Sequence, residues 1–396
     1  MTVAKTVLVV GGSYAGHEAV QALLEHLPAS LCRVVLLERN SHFHHVYAFP
    51  RFSVFAKHEQ KALIPYTNLF RAAREGQESR FVQGSLVALE NNVATYTGGA
   101  ADDTGTIRFD YLVYALGAQR PASIDVGSHF ATKADSMERL RQAQRAASEA
   151  RRIVVIGGGA LGVQFASDLV DRFGVGTKQI TLLSSSARLL PRFDAAMHAR
   201  AHAWLTKRHV DVILGQRAVS QRVDEGAGTA GATVITTTSG RVLLEADLVL
   251  DCTGLTANTA FLDGLVGTPL KGRPAPVNRY MQLLDEARSA TATVPHVFVV
   301  GDAADAFGAL NSGGNARHQA DVAARNIAAL AQGKAMCERY EPAPTRIKVS
   351  LGVHHAVSQS GSEVGYTDGL FRRGKEDLGV EKHWRRRGLS TSDMFV

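Results

Sequence analysis

Two glycine-rich turns in the sequence have the residue types and spacing that bind the phosphates of a dinucleotide. "TVLVV" precedes the turn "GGSYAG" (residues 11–16), and "RIVVIG" runs into the turn "GGGALG" (residues 157–162). In such a turn the first glycine permits a tight bend, the second lets phosphate approach the backbone, and the third lets the next helix pack closely. That helix directs about half a positive charge at the phosphates. Each turn therefore predicts a dinucleotide site.

The first turn departs from the pattern because Ser13 replaces the middle glycine. Serine is small, and its hydroxyl could donate to a phosphate oxygen. Glu38 ends the next predicted strand, 22 residues after Gly16, where an acid would bind a ribose 2′-hydroxyl. A glycine-rich bend without a ligand is the alternative, but such a bend would not need that acid. We therefore interpret residues 11–16 as a true binding turn.

The second turn lacks an acid at the corresponding place, since Ser184 stands 22 residues after Gly162. A carboxylate would repel a 2′-phosphate, whereas Ser184, Ser185 and Arg188 could hydrogen-bond one. The sequence therefore predicts that NADPH is accepted, with NADH as the other donor. The alternative is that these serines only cap the turn.

Two dinucleotide folds in one chain suggest FAD at the first turn and a nicotinamide cofactor at the second. In "VPHVFVVGDAAD" (294–305) a buried strand delivers Asp302 to the flavin ribityl chain, and the following helix would aim its N-terminus at the isoalloxazine. As an alternative, Asp302 is a helix N-cap. The FAD contacts predicted from sequence are Gly11, Gly12, Ser13, Ala15, Gly16, Glu38, Arg39, Ala115, Gly117, Gly301 and Asp302. The predicted nicotinamide contacts are Gly157, Gly159, Ala160, Leu161, Gly162, Gln164, Ser184, Ser185, Arg188, Thr253 and Gly254.

With these motifs the chain resembles the FAD-dependent pyridine-nucleotide oxidoreductases of the apoptosis-inducing-factor-like group, particularly the ferroptosis suppressor protein branch. The resemblance runs almost end to end and includes "GGGALGVQFASDL", "VFVVGDAAD" and "KEDLGVEKHW". It implies non-covalent FAD, NAD(P)H as the donor, and a quinone or other small molecule as the acceptor. It also implies that Pro50 and Arg51 lie close to the flavin.

The chain departs from this family at Ser13, at Gln164, where the nicotinamide helix usually has Glu, and at Asn311, where relatives often have Lys. The three cysteines form no C-x-x-C pair, which separates the chain from the disulfide reductases of the same superfamily. Electrons are therefore expected to pass directly from the flavin to the acceptor. We predict no metal site.

The resemblance and the motif order predict an α/β fold of two Rossmann-like domains with a small α+β C-terminal domain. The FAD-binding domain would comprise residues 1–122 and 256–332 and be interrupted by a NAD(P)H-binding domain, residues 123–255. Residues 333–396 would form the C-terminal domain. The sequences "GAQRPAS" and "GLTANTA" are the expected crossings, and "TGGAADDTG" and "DEGAGTAGA" the expected hairpin loops.

The composition, 45% hydrophobic and 20% charged, is that of an ordinary globular protein. No apolar run reaches membrane-spanning length and no leader is evident, so an intracellular, cytoplasmic location is expected. The net charge of +7 is concentrated in "FRRGKEDLGVEKHWRRRGL". That segment could contact a membrane surface from the cytoplasm, while a solvated charged face is the simpler interpretation and nucleic acid is not favoured.

The predicted reaction is hydride transfer from nicotinamide C4 to flavin N5, followed by reduction of a small acceptor. If the acceptor needs a proton, the candidates are the pairs His44, His45 and His354, His355, although any one of them could be purely structural. Two other hypotheses stay open. One is a biosynthetic flavoenzyme that oxidises or rearranges an organic substrate with little use of NAD(P)H. The other is a redox-sensing flavoprotein that binds lipid or nucleic acid.

Overall fold

The computed structural model describes residues 4–98, 103–119, 132–222, 233–239, 242–368 and 375–396. The predicted loop "DEGAGTAGA" (224–232) lies outside these residues. The loop "TGGAADDTG" (97–105) and the crossing "GAQRPAS" (117–123) are only partly within them. The predicted boundary between residues 122 and 123 is thus not described, and the domain limits stay a prediction.

The helices and strands of the described residues follow the order expected for two βαβ units. The α-helices are α1 (Tyr14–His26), α2 (Phe49–Phe52), α3 (Lys133–Glu149), α4 (Ala160–Phe173), α5 (Ala195–Thr206), α6 (Gly313–Ala331) and α7 (Glu381–Arg386). The strands are β1 (Lys5–Val10), β2 (Cys32–Glu38), β3 (His42–His44), β4 (Leu63–Pro65), β5 (Ser79–Glu90), β6 (Val93–Gly98), β7 (Asp103–Arg108), β8 (Tyr111–Tyr114), β9 (Ala118–Gln119), β10 (Arg152–Ile156), β11 (Gln179–Leu183), β12 (Asp211–Ile213), β13 (Ala218–Arg222), β14 (Thr233–Thr237), β15 (Val242–Ala246), β16 (Leu248–Asp251), β17 (Thr256–Ala257), β18 (Ala275–Pro276), β19 (Gln282–Leu284), β20 (Thr293–Val299), β21 (Ala304–Asp305), β22 (Arg346–Leu351), β23 (His355–Ser360) and β24 (Glu363–Thr367).

The larger sheet has the strand order β19-β20-β8-β1-β2-β5-β6-β7. Its central strands β20, β8, β1, β2 and the first part of β5 are parallel. The apolar stretch of β1 is buried from Thr6 to Val10, as expected for a strand covered on both faces. Strand β20 joins the sheet nearly 180 residues after β8, so sequence-distant segments build one Rossmann-like unit.

The second sheet is parallel, with the order β12-β11-β10-β16, and a three-stranded antiparallel sheet (β13, β14 and β15) adjoins it. Helix α4 follows β10 directly, so the second predicted βαβ unit is present. The predicted fold class, α/β with two Rossmann-like dinucleotide-binding units, is confirmed.

The segment after residue 333 divides between two hydrophobic cores. The antiparallel sheet β22-β23-β24 contributes Val349, Leu351 and Val357 to the core of the second unit. Trp384 and Met394 instead join the core of the first unit, where the Trp384 indole donates to the Lys61 carbonyl at 2.8 Å. Helix α7 is therefore held against the first sheet, although it is remote from it in sequence.

Candidate functional site

Both parallel sheets open at their carboxyl ends onto one cleft of about 2780 Å³. Typical small-molecule sites have roughly 300–1,000 Å³, so this cleft has room for two dinucleotides. The predicted FAD contacts that line it are Gly11, Ser13, Ala15, Glu38, Arg39, Pro50, Ala115, Gly117, Gly301 and Asp302. The predicted nicotinamide contacts that line it are Gly157, Gly159, Ala160, Leu161, Gln164, Ser184, Ser185, Thr253 and Gly254. The two predicted sites thus face each other across a single space.

The first turn brings α1 as close to β1 as glycine alone allows. Gly11 has φ +94°, and a Cβ there would lie 2.5 Å from the carbonyl oxygen of Ala115. A Cβ on Gly16, in the first turn of α1, would overlap the carbonyl oxygen of Gly11. The N-terminus of α1 therefore points into the cleft at short range.

Ser13 is the N-cap residue of α1, and its hydroxyl is buried without a hydrogen-bond partner among the described residues. Such an orphaned donor at a helix N-terminus fits a phosphate oxygen, which would satisfy it. The serine that breaks the glycine pattern is therefore compatible with the FAD pyrophosphate.

Glu38 is held at the end of β2 by three hydrogen bonds. Its carboxylate accepts from the backbone N–H of Gly12, from the backbone N–H of Asn40 at 2.8 Å and from Asn40 Nδ2 at 2.6 Å. It is only 8% exposed, and it lines the cleft. This fixed acceptor fits a ribose hydroxyl, and together with the turn it fits FAD. Sequence reasoning missed Asn40, which the spacing Glu-x-Asn could have indicated.

The second turn repeats this geometry with one chemical difference. A Cβ on Gly162 would overlap the carbonyl oxygen of Gly157, and one on Gly158 would lie 2.6 Å from Ser184 Oγ. In the first turn, a Cβ on Gly12 would lie 2.5 Å from the Tyr66 hydroxyl and 3.1 Å from Glu38 Cγ. Ser184 therefore occupies the place of that acid, as the residue count predicted.

The rim beside Ser184 contains two arginines that the sequence did not single out. Arg192 and Arg217 line the cleft, whereas Arg188 does not and donates to the Pro191 carbonyl at 3.0 Å. The predicted role of Arg188 is thus not supported by its position. Arg217 follows β12 after a short loop, so its place depends on tertiary folding rather than on motif spacing.

Helix α6 begins in the cleft. Ser312 caps it by accepting a hydrogen bond from the backbone N–H of Asn315 at 3.2 Å, so Asp302 is not its N-cap. The backbone N–H of Gly313 donates to the Tyr47 hydroxyl at 2.6 Å, and Asn311 lies on the same rim. Asp302 and the start of α6 therefore both line the cleft, and their contact with the flavin stays a prediction.

Arg51 is buried away from the cleft, in contrast to Pro50, which lines it. Its Nη2 lies 2.7 Å from Asp168 of α4 and also donates to the Gly352 carbonyl at 2.7 Å. A buried guanidinium requires a charged partner, which α4 supplies. Arg51 therefore does not line the cleft but joins α2 to α4 and to the turn after β22, and its place close to the flavin stays a prediction.

Of the four candidate histidines, His45 alone lines the cleft. His44 is buried, with Nε2 at 3.5 Å from Ser136 Oγ. His354 is exposed, and His355 packs on Trp204 of α5 and lies 3.7 Å from Asp368. Neither histidine of the pair at 354–355 therefore lines the cleft.

His45 belongs to an aromatic cluster on the wall of the cleft. Its Nδ1 is hydrogen-bonded to the Tyr14 hydroxyl at 2.7 Å, and its ring lies 3.9 Å from that of His383 on α7. The ring of Tyr47 lies 5.1 Å from that of Tyr14. Burial, followed by the charges of neighbouring cationic groups, lowers the pKa of His45 to about 2 and that of His383 to about 4. Both imidazoles are therefore neutral at physiological pH.

These histidines predict that the protein loses stability in acid. Burial, followed by Arg387, also lowers the pKa of His17 to about 3 from 6.5. The unfolded chain binds these protons near pH 6.5 and the folded chain does not, so stability is complete above that pH and falls towards pH 4. Urea unfolding at successive pH values should show this slope, and His17→Gln should make it shallower. His354→Gln, at an exposed site, is the control and should leave the pH dependence of the unfolding free energy unchanged. If His17→Gln also leaves it unchanged, the buried histidines are not its origin.

Residues 5–326 match the family model described as Pyridine nucleotide-disulphide oxidoreductase. The chain belongs to this family. Members with this architecture are NAD(P)H-dependent FAD oxidoreductases, and the predicted cofactors, FAD and NAD(P)H, are confirmed. The oxidoreductase has three cysteines, none close to another in sequence.

Similar curated proteins include "Fe-regulated protein 8" of Mycosarcoma maydis, which is 40% identical over 407 residues, covering 99% of this chain and 97% of that protein. "Ferroptosis suppressor protein 1" of Homo sapiens is 26% identical over 387 residues, covering 96% of this chain and 95% of that protein. The predicted resemblance to the apoptosis-inducing-factor-like group is therefore confirmed, and an "Apoptosis-inducing factor homolog B" of Dictyostelium discoideum is 24% identical over 90% of this chain and 89% of that protein.

Solved structures share the fold of the oxidoreductase. NDH2 of Plasmodium falciparum in complex with NADH has a TM-score of 0.70 at 11% identity, covering 99% of this chain and 96% of that chain. The water-forming NADH oxidase of Lactobacillus brevis bound to NADH has a TM-score of 0.68 at 19% identity, covering 90% and 75%. Within the described residues, no helix combines the length and apolar character needed to cross a bilayer.

Proposed function

We propose that the protein transfers a hydride from NADPH or NADH to FAD and then reduces a small acceptor, with quinones as the leading class. The observation that carries the proposal is the shared cleft, because both glycine-rich turns open onto it from opposite sides. Bound FAD would supply two-electron chemistry between the donor and the acceptor. The protein's own task is to hold and orient the two rings, which is how such enzymes gain rate.

The aromatic cluster at the start of α6 supports a planar acceptor. Tyr47 lines the cleft and is 49% exposed, so its ring can contact a ligand there. Its hydroxyl is anchored by the backbone of Gly313, so the ring is fixed. Tyr14 and His45 line the cleft as a hydrogen-bonded pair. The Tyr14 hydroxyl can donate a proton to an acceptor oxygen, and a proton from solvent then replaces it.

The acceptor step can be tested separately from the donor step. Protein that has been reduced with one equivalent of NADPH is mixed anaerobically with a short-chain quinone, and the return of flavin absorbance is followed. Fast return supports a quinone acceptor, and a return no faster than without quinone would refute this class.

Tyr47→Ala should slow that reoxidation about tenfold, because a stacked aromatic pair contributes roughly 0.5–1.5 kcal/mol beyond the area it buries. The rate at which NADPH reduces the flavin should be unchanged, since Tyr47 belongs to the first Rossmann-like unit and the donor's turn belongs to the second. Tyr366→Ala is the matched control, as Tyr366 is 39% exposed on β24 and does not line the cleft. Equal slowing in both variants would remove Tyr47 from the acceptor site.

We also propose that the second turn accepts NADPH, because a serine stands where Glu38 stands in the first turn and Arg192 and Arg217 line the same cleft. Ser184→Asp should lower kcat/KM for NADPH by about 10- to 100-fold through repulsion of the 2′-phosphate and leave NADH nearly unaffected. Steady-state kinetics with both donors measure this change. Ser184→Ala, which adds no charge, should keep the wild-type preference. An equal loss with both donors in Ser184→Asp would show only a damaged turn.

A further inference from the structure

A second cavity, of about 180 Å³, lies between α1, α6 and α7 on the outer side of the aromatic cluster. Its lining includes Arg71, Arg317, Arg386 and Arg387. Glu18 is the one carboxylate among the described lining residues, and it lies at 4.0 Å from Arg317 Nε and 3.9 Å from Arg386 Nη2. Four guanidinium groups therefore face one loosely paired acid. We call this cavity the arginine pocket.

In the inner part of the arginine pocket, Arg387 forms no ion pair with any carboxylate of the described residues. Arg387 stacks on Phe43, with 3.7 Å from the guanidinium carbon to the ring centroid. Its Nη1 donates to the His383 carbonyl at 3.0 Å, and its Nε is buried with no hydrogen-bond partner in the described part of the chain. A buried, unpaired donor on a cation costs free energy that an incoming anion would recover.

The histidines of the pocket also reflect its positive potential. Burial, followed by Arg387, Arg386 and Arg71, lowers the pKa of His17. Burial lowers the pKa of Arg387 itself to about 10. His17 and His383 are therefore neutral hydrogen-bonding groups beside the guanidinium cluster, and they add no charge of either sign.

The arginine pocket shares a wall with the cofactor cleft. Tyr14, Arg317 and His383 line both spaces. His383 is the residue whose ring lies against His45, so the pocket lies directly behind the proposed acceptor site. A ligand in the pocket would be separated from that site by one layer of side chains.

We propose that the arginine pocket binds one small oxyanion, a carboxylate or phosphate group. Guanidinium groups match the planar or tetrahedral oxygens of these anions through paired N–H donors. The volume suits a single anionic group and is below that of a typical site for a whole small molecule. The anion is either free in solution or the acidic end of the acceptor. The possibility that the anion is part of the acceptor rests on the proposed function.

Isothermal titration calorimetry of the FAD-loaded full-length protein with inorganic phosphate, at constant ionic strength, tests the proposal without turnover. One saturable site is expected. Arg386→Gln should weaken phosphate binding about tenfold, which is about 1.4 kcal/mol, because it removes a charged hydrogen-bond donor, and Arg71→Gln should act in the same direction. Arg385→Gln is the matched control, since Arg385 is on the same helix, pairs with Glu381 at 3.1 Å and lies outside the pocket.

Two calorimetric results would overturn the proposal. The first is no saturable binding of phosphate to the wild-type protein. The second is an equal loss in Arg385→Gln and Arg386→Gln, which would mean that phosphate responds only to the general positive charge of α7. Because neither result involves electron transfer, failure here is distinguishable from failure of the proposed function.

Steady-state kinetics then identify the source of the anion. If the pocket binds the acidic end of the acceptor, phosphate should raise KM for a carboxylated quinone and not for its neutral analogue, and Arg386→Gln should abolish that difference. If phosphate binds but raises KM for neither quinone, the pocket binds an oxyanion that is free in solution, and the proposed oxyanion site is supported.

Discussion

Gly162→Ala is expected to leave the purified protein yellow and to slow flavin reduction by NADPH about 100-fold. This corresponds to an activation free energy that is higher by about 2.7 kcal/mol. A Cβ at this position would overlap the carbonyl oxygen of Gly157, so α4 would have to move away from its turn. That movement would displace the helix N-terminus from the nicotinamide cofactor's pyrophosphate. FAD binding should persist, because the first turn belongs to another sheet.

Stopped-flow reduction under anaerobic conditions measures this effect. Gly264→Ala is the matched control, because its added Cβ would find its nearest neighbour, the Leu89 carbonyl oxygen, at 3.9 Å. A Gly162→Ala protein that is reduced by NADPH at the wild-type rate would show that the second turn does not bind the donor.

Gly16→Ala should instead abolish FAD binding at the first turn and yield a colourless protein. A Cβ at Gly16 would overlap the carbonyl oxygen of Gly11, whose φ of +94° leaves the turn no easy way to relax. The helix N-terminus would move away from the FAD pyrophosphate and withdraw the Ser13 hydroxyl. Loss of a tightly bound cofactor also removes its contribution to stability, so the melting temperature should fall.

Flavin released by heating, counted per chain, measures the result, and far-ultraviolet circular dichroism separates cofactor loss from unfolding. Added FAD should restore little colour to a folded Gly16→Ala protein. Isolation of this variant with one FAD per chain would contradict the assignment of the first turn.

The paired turns could be predicted from the sequence because their chemistry depends on residues that are close to one another along the chain. A strand, a tight turn and a helix place Gly11, Gly16 and Glu38 within one βαβ unit, so spacing along the chain translates directly into geometry. The same holds for Gly157, Gly162 and Ser184. Where the pattern broke, at Ser13, the small residue was accommodated and left a hydroxyl free for a ligand.

Apart from the local contact between Glu38 and Asn40, the contacts that sequence reasoning missed join remote segments. Arg51 pairs with Asp168, 117 positions away, and His45 packs on His383 from α7. No local pattern encodes either pairing, because each depends on how the sheets and the final helix pack together. His354 and His355 are adjacent in sequence, but neither lines the cleft, because the fold packs His355 on Trp204 of α5.

The most direct measurement of the central claim is anaerobic mixing of the yellow protein with NADPH, and separately with NADH, while flavin absorbance is followed. The account predicts bleaching at about 1 s⁻¹ or faster with at least one donor, in the range of ordinary enzymes. If both donors leave the absorbance unchanged while a small organic substrate bleaches it, the two turns do not serve a donor and its flavin.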